Sequence, residues 1–368
     1  MHAATYWEPS IQVSAIYDDN VFVRPTVIED DVITRLRPSI EIGHESERSA
    51  ARLFYSQDIE RYERHPELDS GQIRRQIDGS ALYEFSERTA VSLDAGLNES
   101  RVTTDLNVNT GFGAGRIEGK RASVNPAIAH RFSENVTGLA ELTLIRDRVD
   151  NGVGSNTDQI NVEFRQFLSQ KNQLLYGYRY SRFGFDGEDI SEIQVPMLGL
   201  VHRLNENRTL TMVAGPRFSD TDSTSFDAAL RYEQEYGRGR FMLAYERGTA
   251  ALIGERGIVD LDVVRSELSY EFTARMQVGA VGSYSHATRD LAEQSGAEVY
   301  RAGINAAYRF NDHILLESSW SYSHQRTSIN QEQFRIPRNV ALFSVTFLLP
   351  RTSEPRPRLQ PQARAQML

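Results

Sequence analysis

The strongest constraint in this chain is a two-residue alternation of apolar and polar side chains that recurs in run after run between Tyr6 and Pro350. In the run from Tyr300, the residues Tyr300, Ala302, Ile304, Ala306, Tyr308 and Phe310 form one face, and Arg301, Gly303, Asn305, Ala307 and Arg309 the other. Phe226, Ala228, Leu230, Tyr232 and Tyr236 oppose Asp227, Arg231, Glu233 and Glu235. Leu268, Tyr270 and Phe272 oppose Arg265, Glu267, Ser269 and Glu271, and Ile73, Ile77, Ala81, Tyr83 and Phe85 oppose Arg74, Gln76, Asp78, Ser80 and Glu84. Successive side chains of a strand point to opposite faces, so the pattern belongs to strands with an apolar medium on one side and water on the other.

Eighteen such runs fall near residues 8–18, 32–43, 48–61, 73–85, 89–99, 116–132, 136–147, 158–168, 173–183, 192–204, 208–218, 225–236, 240–250, 260–272, 276–286, 298–310, 313–325 and 335–349. Most exceed the five or six residues of an ordinary soluble strand and reach the roughly 9–11 that a tilted strand needs to cross a bilayer. Their connections alternate in length. Short ones (Ser86-Glu87-Arg88, Ser133-Glu134-Asn135, Asn205-Glu206-Asn207, Gly237-Arg238-Gly239, Thr273-Ala274-Arg275, Asn311-Asp312) take turns with longer polar ones such as Ser100 to Gly115, Arg148 to Thr157 and Ala287 to Ala297. The pattern predicts an all-β fold over residues 1–350: a transmembrane antiparallel up-and-down β-barrel of about 18 strands in a bacterial outer membrane. Short turns and both termini then face the periplasm, and the longer loops face the cell surface. A soluble sandwich or propeller also shows period-2 strands, but no blade repeat is present and the alternation of turn lengths would be a coincidence.

Composition fits. The hydrophobic fraction of 40% resembles a soluble protein, but a barrel that alternates lipid-facing and lumen-facing residues has low average hydropathy by construction. No stretch approaches the roughly 18 consecutive apolar residues of a membrane helix. A net charge of −9 argues against a nucleic-acid partner. The absence of Cys removes disulfides, thiolate metal sites and thiol nucleophiles together.

Aromatic residues cluster just before the short turns, in Tyr83-Glu84-Phe85, His130-Arg131-Phe132, Tyr270-Glu271-Phe272 and Tyr308-Arg309-Phe310, with His202-Arg203-Leu204 at the equivalent place. Rings at this depth suit an interfacial girdle. Pro38, Pro126, Pro196 and Pro216 remove ladder donors and predict bulges or strand ends. In the last run Ala341, Phe343, Val345 and Phe347 share a face, similar to the terminal-strand signal read by the barrel-assembly machinery. The segment 351–368, rich in Pro, Arg and Gln, is expected to be a disordered periplasmic tail. Met1-His2-Ala3-Ala4 carries neither a basic nor an apolar leader region, so a secretory signal is expected to have been removed or to lie upstream.

Tyr17-Asp18-Asp19-Asn20-Val21-Phe22, followed by Asp31-Val32-Ile33-Thr34-Arg35-Leu36-Arg37-Pro38-Ser39-Ile40, resembles the opening of a family of outer-membrane β-barrel porins encoded with exopolysaccharide or capsule synthesis and export genes. The motif covers about the first 45 residues. The resemblance implies the outer-membrane component of exopolysaccharide secretion, with polysaccharide and periplasmic export proteins as partners. Outer-membrane lipid, lipopolysaccharide and the assembly machinery are partners of any such barrel.

Asp18, Asp19 and Asn20 with Asp30 and Asp31 could ligate Ca²⁺ through oxygens, but EF-hand spacing is missing and a solvated acidic loop is the simpler reading. The His residues show no metal-binding spacing, and nucleophile-elbow and phosphate-loop motifs are missing, so no metal, cofactor or enzymatic activity is expected. A hydrolase assembled from separate strands stays as a third reading. Inward parity selects Arg37, Arg52, Arg74, Glu84, Asp94, Glu141, Glu163, Arg165, Arg179, Arg231, Glu233, Arg265, Glu267, Glu271, Arg301, Arg309 and Glu317 as the wall of a wet, mixed-charge lumen. Phe54, Phe167 and Phe183 are the inward aromatics. The reading is a passive channel, for exopolysaccharide on the strength of the resemblance, or alternatively a general or solute-selective porin for small molecules.

Overall fold

The computed structural model describes residues 4–102, 106–107, 115–187, 190–220, 225–254, 256–288, 296–329 and 332–349. The tail 351–368 lies outside them. Each of the eighteen alternating runs is a strand: β1 (Ala4–Asp18), β2 (Asp31–Glu45), β3 (Ser49–Tyr62), β4 (Ser70–Ser86), β5 (Thr89–Ser100), β6 (Gly119–Ser133), β7 (Val136–Val149), β8 (Ser155–Phe167), β9 (Asn172–Phe185), β10 (Ser191–Asn205), β11 (Arg208–Ser219), β12 (Ser225–Tyr236), β13 (Gly239–Ala251), β14 (Ile258–Thr273), β15 (Met276–Thr288), β16 (Gly296–Asn311), β17 (Ile314–Ile329) and β18 (Glu332–Leu348). The longer connections are L1 (19–30), L2 (63–69), L3 (101–118), L4 (150–154), L5 (186–190), L6 (220–224), L7 (252–257) and L8 (289–295). The ninth, expected to be long, shrinks to 330–331 because β17 and β18 stay paired as far as Ile329↔Glu332.

Every strand pairs antiparallel with its sequence neighbours, and β1 closes the ring on β18 from Ser10↔Leu348 to Asp18↔Val340. A closed sheet has no edge, so backbone N–H and C=O groups are satisfied between strands without water. The two faces differ as the alternation demands. Trp7, Ile11, Leu53, Ile128, Leu198, Ile304 and Phe343 stand on the convex face, between 44% and 62% exposed. On the concave face the polar Ser14, Asp58, Glu60 and Ser344 are almost fully buried.

Local chemistry explains the short-turn end. Ser86, Ser133, Ser169, Asn205, Thr273 and Asn311 each accept the backbone N–H two residues on, and Ser46 accepts that of Ser49. These side chains fold the chain back without help from the rest of the barrel. At the remaining short turn Gly237 takes a φ of +52°, open to a residue without Cβ. Above the turns, Tyr83–Phe85, His130–Phe132 and Tyr270–Phe272 meet edge to face at 4.8, 4.6 and 4.9 Å on the convex side.

The prolines are neither bulges nor strand ends. Pro38 pairs with Ile11 of β1, Pro126 with Leu93 of β5, Pro196 with Tyr178 of β9 and Pro216 with Phe226 of β12. Each interrupts the ladder on its other side only, and the register resumes unchanged, as from Leu36↔Ile59 to Ser39↔Ser56. One missing N–H breaks one side of a strand. The apolar clusters lie near the long-loop end, among them Ile16–Val21–Ile33–Tyr62, Phe183–Phe185–Ile193–Val195 and Leu252–Val259–Ala287–Ala297, while single apolar residues such as Leu82, Ala90 and Leu175 are buried near the short turns. The middle of the cylinder is walled by polar groups.

Candidate functional site

The alternation that turns apolar groups outward turns charges inward, and there they pair along strands and across them. Asp58, essentially buried, is ringed by Arg35 at 3.5 Å, Arg37 at 2.5 Å and Arg74 at 3.5 Å, while Arg35 also reaches Glu60 at 2.6 Å. Arg52 meets Glu41 at 2.9 Å, Arg165 meets Glu163 at 2.6 Å, and Glu233 lies between Arg231 at 2.8 Å and Arg240 at 2.5 Å. Arg179 stands 3.4 Å from Asp227. Glu317 accepts from Gln12 Nε2 at 2.9 Å, across the β1–β18 seam. Glu84, Glu271 and Arg309 mark the short-turn rim, where their backbone N–H groups donate to Arg48, Arg238 and Arg275. Arg265, Glu267 and Arg301 line separate recesses of the wall.

The selected charges therefore share the concave face but form several local groups and no single centre. Sequence reasoning passed over Arg35, Asp58, Glu60, Arg121, Asp147 and Arg217, although Arg35 has the parity of Arg37, and Asp58 and Glu60 that of Arg52. It also passed over two inward tyrosines. Tyr6 donates to Glu41 at 3.1 Å, and Tyr62 donates to Glu60 at 2.5 Å while accepting from Arg116 at 2.9 Å. Of the inward phenylalanines, Phe54 lies under Arg52 at 5.9 Å and Phe183 is buried in an apolar cluster.

The segment Tyr17 to Phe22 has a structural role. Tyr17 faces outward, whereas Asp18 is buried and takes a two-pronged bond from Arg338 of β18, Nε at 3.0 Å and Nη2 at 2.6 Å. Asp19 accepts the backbone N–H and the side-chain amide of Asn339, each at 2.6 Å. Asn20, fully buried, donates to Pro337 O at 3.0 Å and holds Arg24 through both backbone groups. Phe22 meets His65 of L2 edge to face at 5.1 Å. The solvated acidic loop expected here is instead a latch between the first and last strands, because each oxygen faces a donor. Asp31 is likewise consumed, accepting backbone N–H groups of Val32, Glu63, Arg64 and His65. Among the described residues no cluster of His, Asp and Glu could hold a metal ion.

From this latch L1 turns into the mouth. Val21 accepts from Arg116 at 3.2 Å, Val23 accepts from Gly115 at 3.0 Å, and the Val23 side chain packs on Val102 and Ile336. Val23 and Val27 sit at φ +53° and +56°, a strained region for β-branched residues that holds only where the surroundings over-determine it. On the other side the Ile253 N–H of L7 donates to Asn107 of L3 at 3.2 Å, and Val153 of L4 bridges Gly254 of L7. L3 follows β5 and L7 follows β13, eight places apart in a ring of eighteen, so this contact crosses the mouth.

Comparison with known proteins gives a loose likeness. No protein-family model and no curated relative matches the chain. Among solved structures it is similar to Pseudomonas aeruginosa OpdQ, at 11% identity over 94% of this chain and 98% of that one, with a TM-score of 0.47. Acinetobacter baumannii OccAB4 gives 9% identity, the same coverage and 0.48. The siderophore receptor PirA from Pseudomonas aeruginosa gives 10% identity over 94% and 80%, at 0.46. At these scores the functional argument rests on the barrel itself.

Two outcomes follow. Arg338→Ala strands Asp18 in a buried site, which costs about 3–5 kcal/mol by analogy with broken buried pairs; the denaturation midpoint in detergent should fall, and the Asp18→Ala/Arg338→Ala double variant should recover part of the loss. Charged His65 donates to Glu29 through Nε2 and to Asp31 through Nδ1, each at 2.8 Å, and these two bonds hold its pKa above the usual value. A raised folded pKa stabilises the L1–L2 contact fully below the unfolded value of about 6.5, and that contribution is lost as pH climbs through the folded one. Amide exchange at Arg64 and His65 should accelerate over that window, and His65→Ala should abolish the pH dependence.

Proposed function

We propose that this chain is an outer-membrane channel for small polar solutes, with the short turns in the periplasm and the long loops at the cell surface. The observation that carries the reading is the closed cylinder with an apolar outside and a wall of hydrogen-bonding groups inside. Lipid, lipopolysaccharide and the barrel-assembly machinery are the partners such a surface needs. Solutes move down their gradient through a wet lumen, and the charge pairs set what is drawn in. A wall recess of about 490 Å³ between β3 and β6 shows the chemistry on offer: Asp78, Asp94, Asn98, Ser123 and Asn125 surround Gly96, where a Cβ would lie 3.3 Å from Asp78 and 3.2 Å from Ser123.

The loops favour small cargo, since L3 meets L7 across the mouth and L1 turns in to meet L3. Passage of exopolysaccharide is the second reading. The polar recess suits sugar hydroxyls, but the motif that suggested an export family serves here to lock β1 to β18.

Purified protein in planar bilayers should give stepwise ion conductance, and liposome swelling should admit mono- and disaccharides and exclude long dextrans. Asn107→Ala should enlarge the unit conductance by loosening L3 from L7. Lipid-level conductance from folded protein would end the channel reading, and a deletion strain that loses surface polysaccharide with unchanged small-solute uptake would favour the second.

A further inference from the structure

Between β12 and β13 the wall is split toward its long-loop end. The β12–β13 ladder runs from Tyr236↔Gly239 to Ala228↔Arg247 and stops, although both strands continue. Past that point Ser225 pairs only with β11, and Gly248 to Ala251 pair only with β14. The unbroken register would have set Asp227 against Gly248 and Phe226 against Thr249.

Arg217 fills the split. It leaves β11 on the concave face, two strands away, yet its guanidinium donates to Thr249 Oγ1 at 2.8 Å and to Asp260 at 2.8 Å, with Asp227 at 3.6 Å. Thr249 has the parity of Leu243 and Asp260 that of Val264 and Leu268, all convex-face positions. The side chain therefore passes from the lumen side to the lipid side through the gap left by missing backbone bonds. A cavity of about 390 Å³ opens at the same place, lined from both faces: Arg179 and Arg265 with Met197 and Val263 on the concave side, Arg247 and Thr249 on the convex.

Two further features bear on its use. Straight above, the axial route is crossed by L7 meeting L3 and L4. Beside the gap, Phe226 is exposed on the convex face with Arg247 over its ring at 4.7 Å, so the opening lies at the upper edge of the apolar belt, where Arg247 and Asp260 also face outward. Only a molecule with an alkyl chain gains by leaving sideways into lipid. On the lumen side Arg179 is loosely held, 3.4 Å from Asp227 and 3.5 Å from the Met197 sulfur, and offers a guanidinium to an anionic head.

We infer that the β12–β13 split is a lateral portal between lumen and outer leaflet for an alkyl carboxylate, its head at Arg179 and its chain between Met197 and Val263, with Arg217 as the bar across the opening. The portal rests on the membrane-channel reading and adds a route that reading does not contain.

The chain has no cysteine, so Phe226→Cys with Thr249→Cys introduces the only thiols and allows the split to be closed by a disulfide or a short bis-maleimide. Cells lacking their own carboxylate channel, expressing either form, would be given labelled dodecanoate, with folding checked by heat-modifiable gel migration and ion conductance measured in bilayers. Wild-type protein should raise uptake above empty-vector cells, closure by either crosslink should cut it about tenfold, and reductant should restore it where the closure is the disulfide, while conductance stays within about twofold. Thr249→Trp should mimic closure without a crosslink, and Arg217→Ala should raise uptake. Uptake unchanged by a verified crosslink and by Thr249→Trp, or no uptake above empty-vector cells from a conducting protein, overturns the portal alone. Loss of conductance in the wild type overturns the channel reading instead.

Discussion

The structure depends on backbone hydrogen bonds finding partners without water. A sheet in lipid cannot leave an edge, so residue 18 and residue 338 must meet although the whole chain lies between them. Three consecutive polar side chains, Asp18, Asp19 and Asn20, hold that meeting through Arg338, Asn339 and the Pro337 carbonyl. With the ring closed, the parity of every strand is fixed, and the two faces inherit their solvents from it. Interruptions are tolerated where another group takes over: a proline breaks one ladder while the other neighbour stays paired, and Arg217 occupies the space where β12 and β13 part.

Inside, the charges are arranged to cancel at short range. A single exposed ion pair adds little stability. Asp58 differs, because three arginines surround a carboxylate that is almost fully buried. That grouping stiffens the wall from β2 to β4. Opposite it, around β9 to β14, the contacts of Arg179 and Asp227 are longer and one ladder is open. The wall is locally open there, although its sequence alternates evenly all round.

The strands and their faces could be read from the chain because each depends on residues two apart, as Tyr300 to Phe310 shows. The turn chemistry was visible too, since Ser86 or Asn311 acts on a backbone group two residues away. Contacts between distant residues carry no such periodic mark. Nothing in the sequence around Asn107 announces Ile253, and the acidic run at Asp18 reads as solvated until Arg338 is set against it. Asp58 shows a different kind of miss: its parity was in plain view, but its three partners come from two strands whose register no local rule supplies.

Loop L1 is held by groups from two distant parts of the chain, Gly115 and Arg116 of L3 on one side and Pro337 to Asn339 of β18 on the other. The last of these exists as a docking surface only when β18 has joined β1. Val23 packs on Ile336 of β18, so L1 takes its place in the mouth in the same step that seals the wall. The side aperture and L1's share of the axial one are thus closed by the same pair of strands.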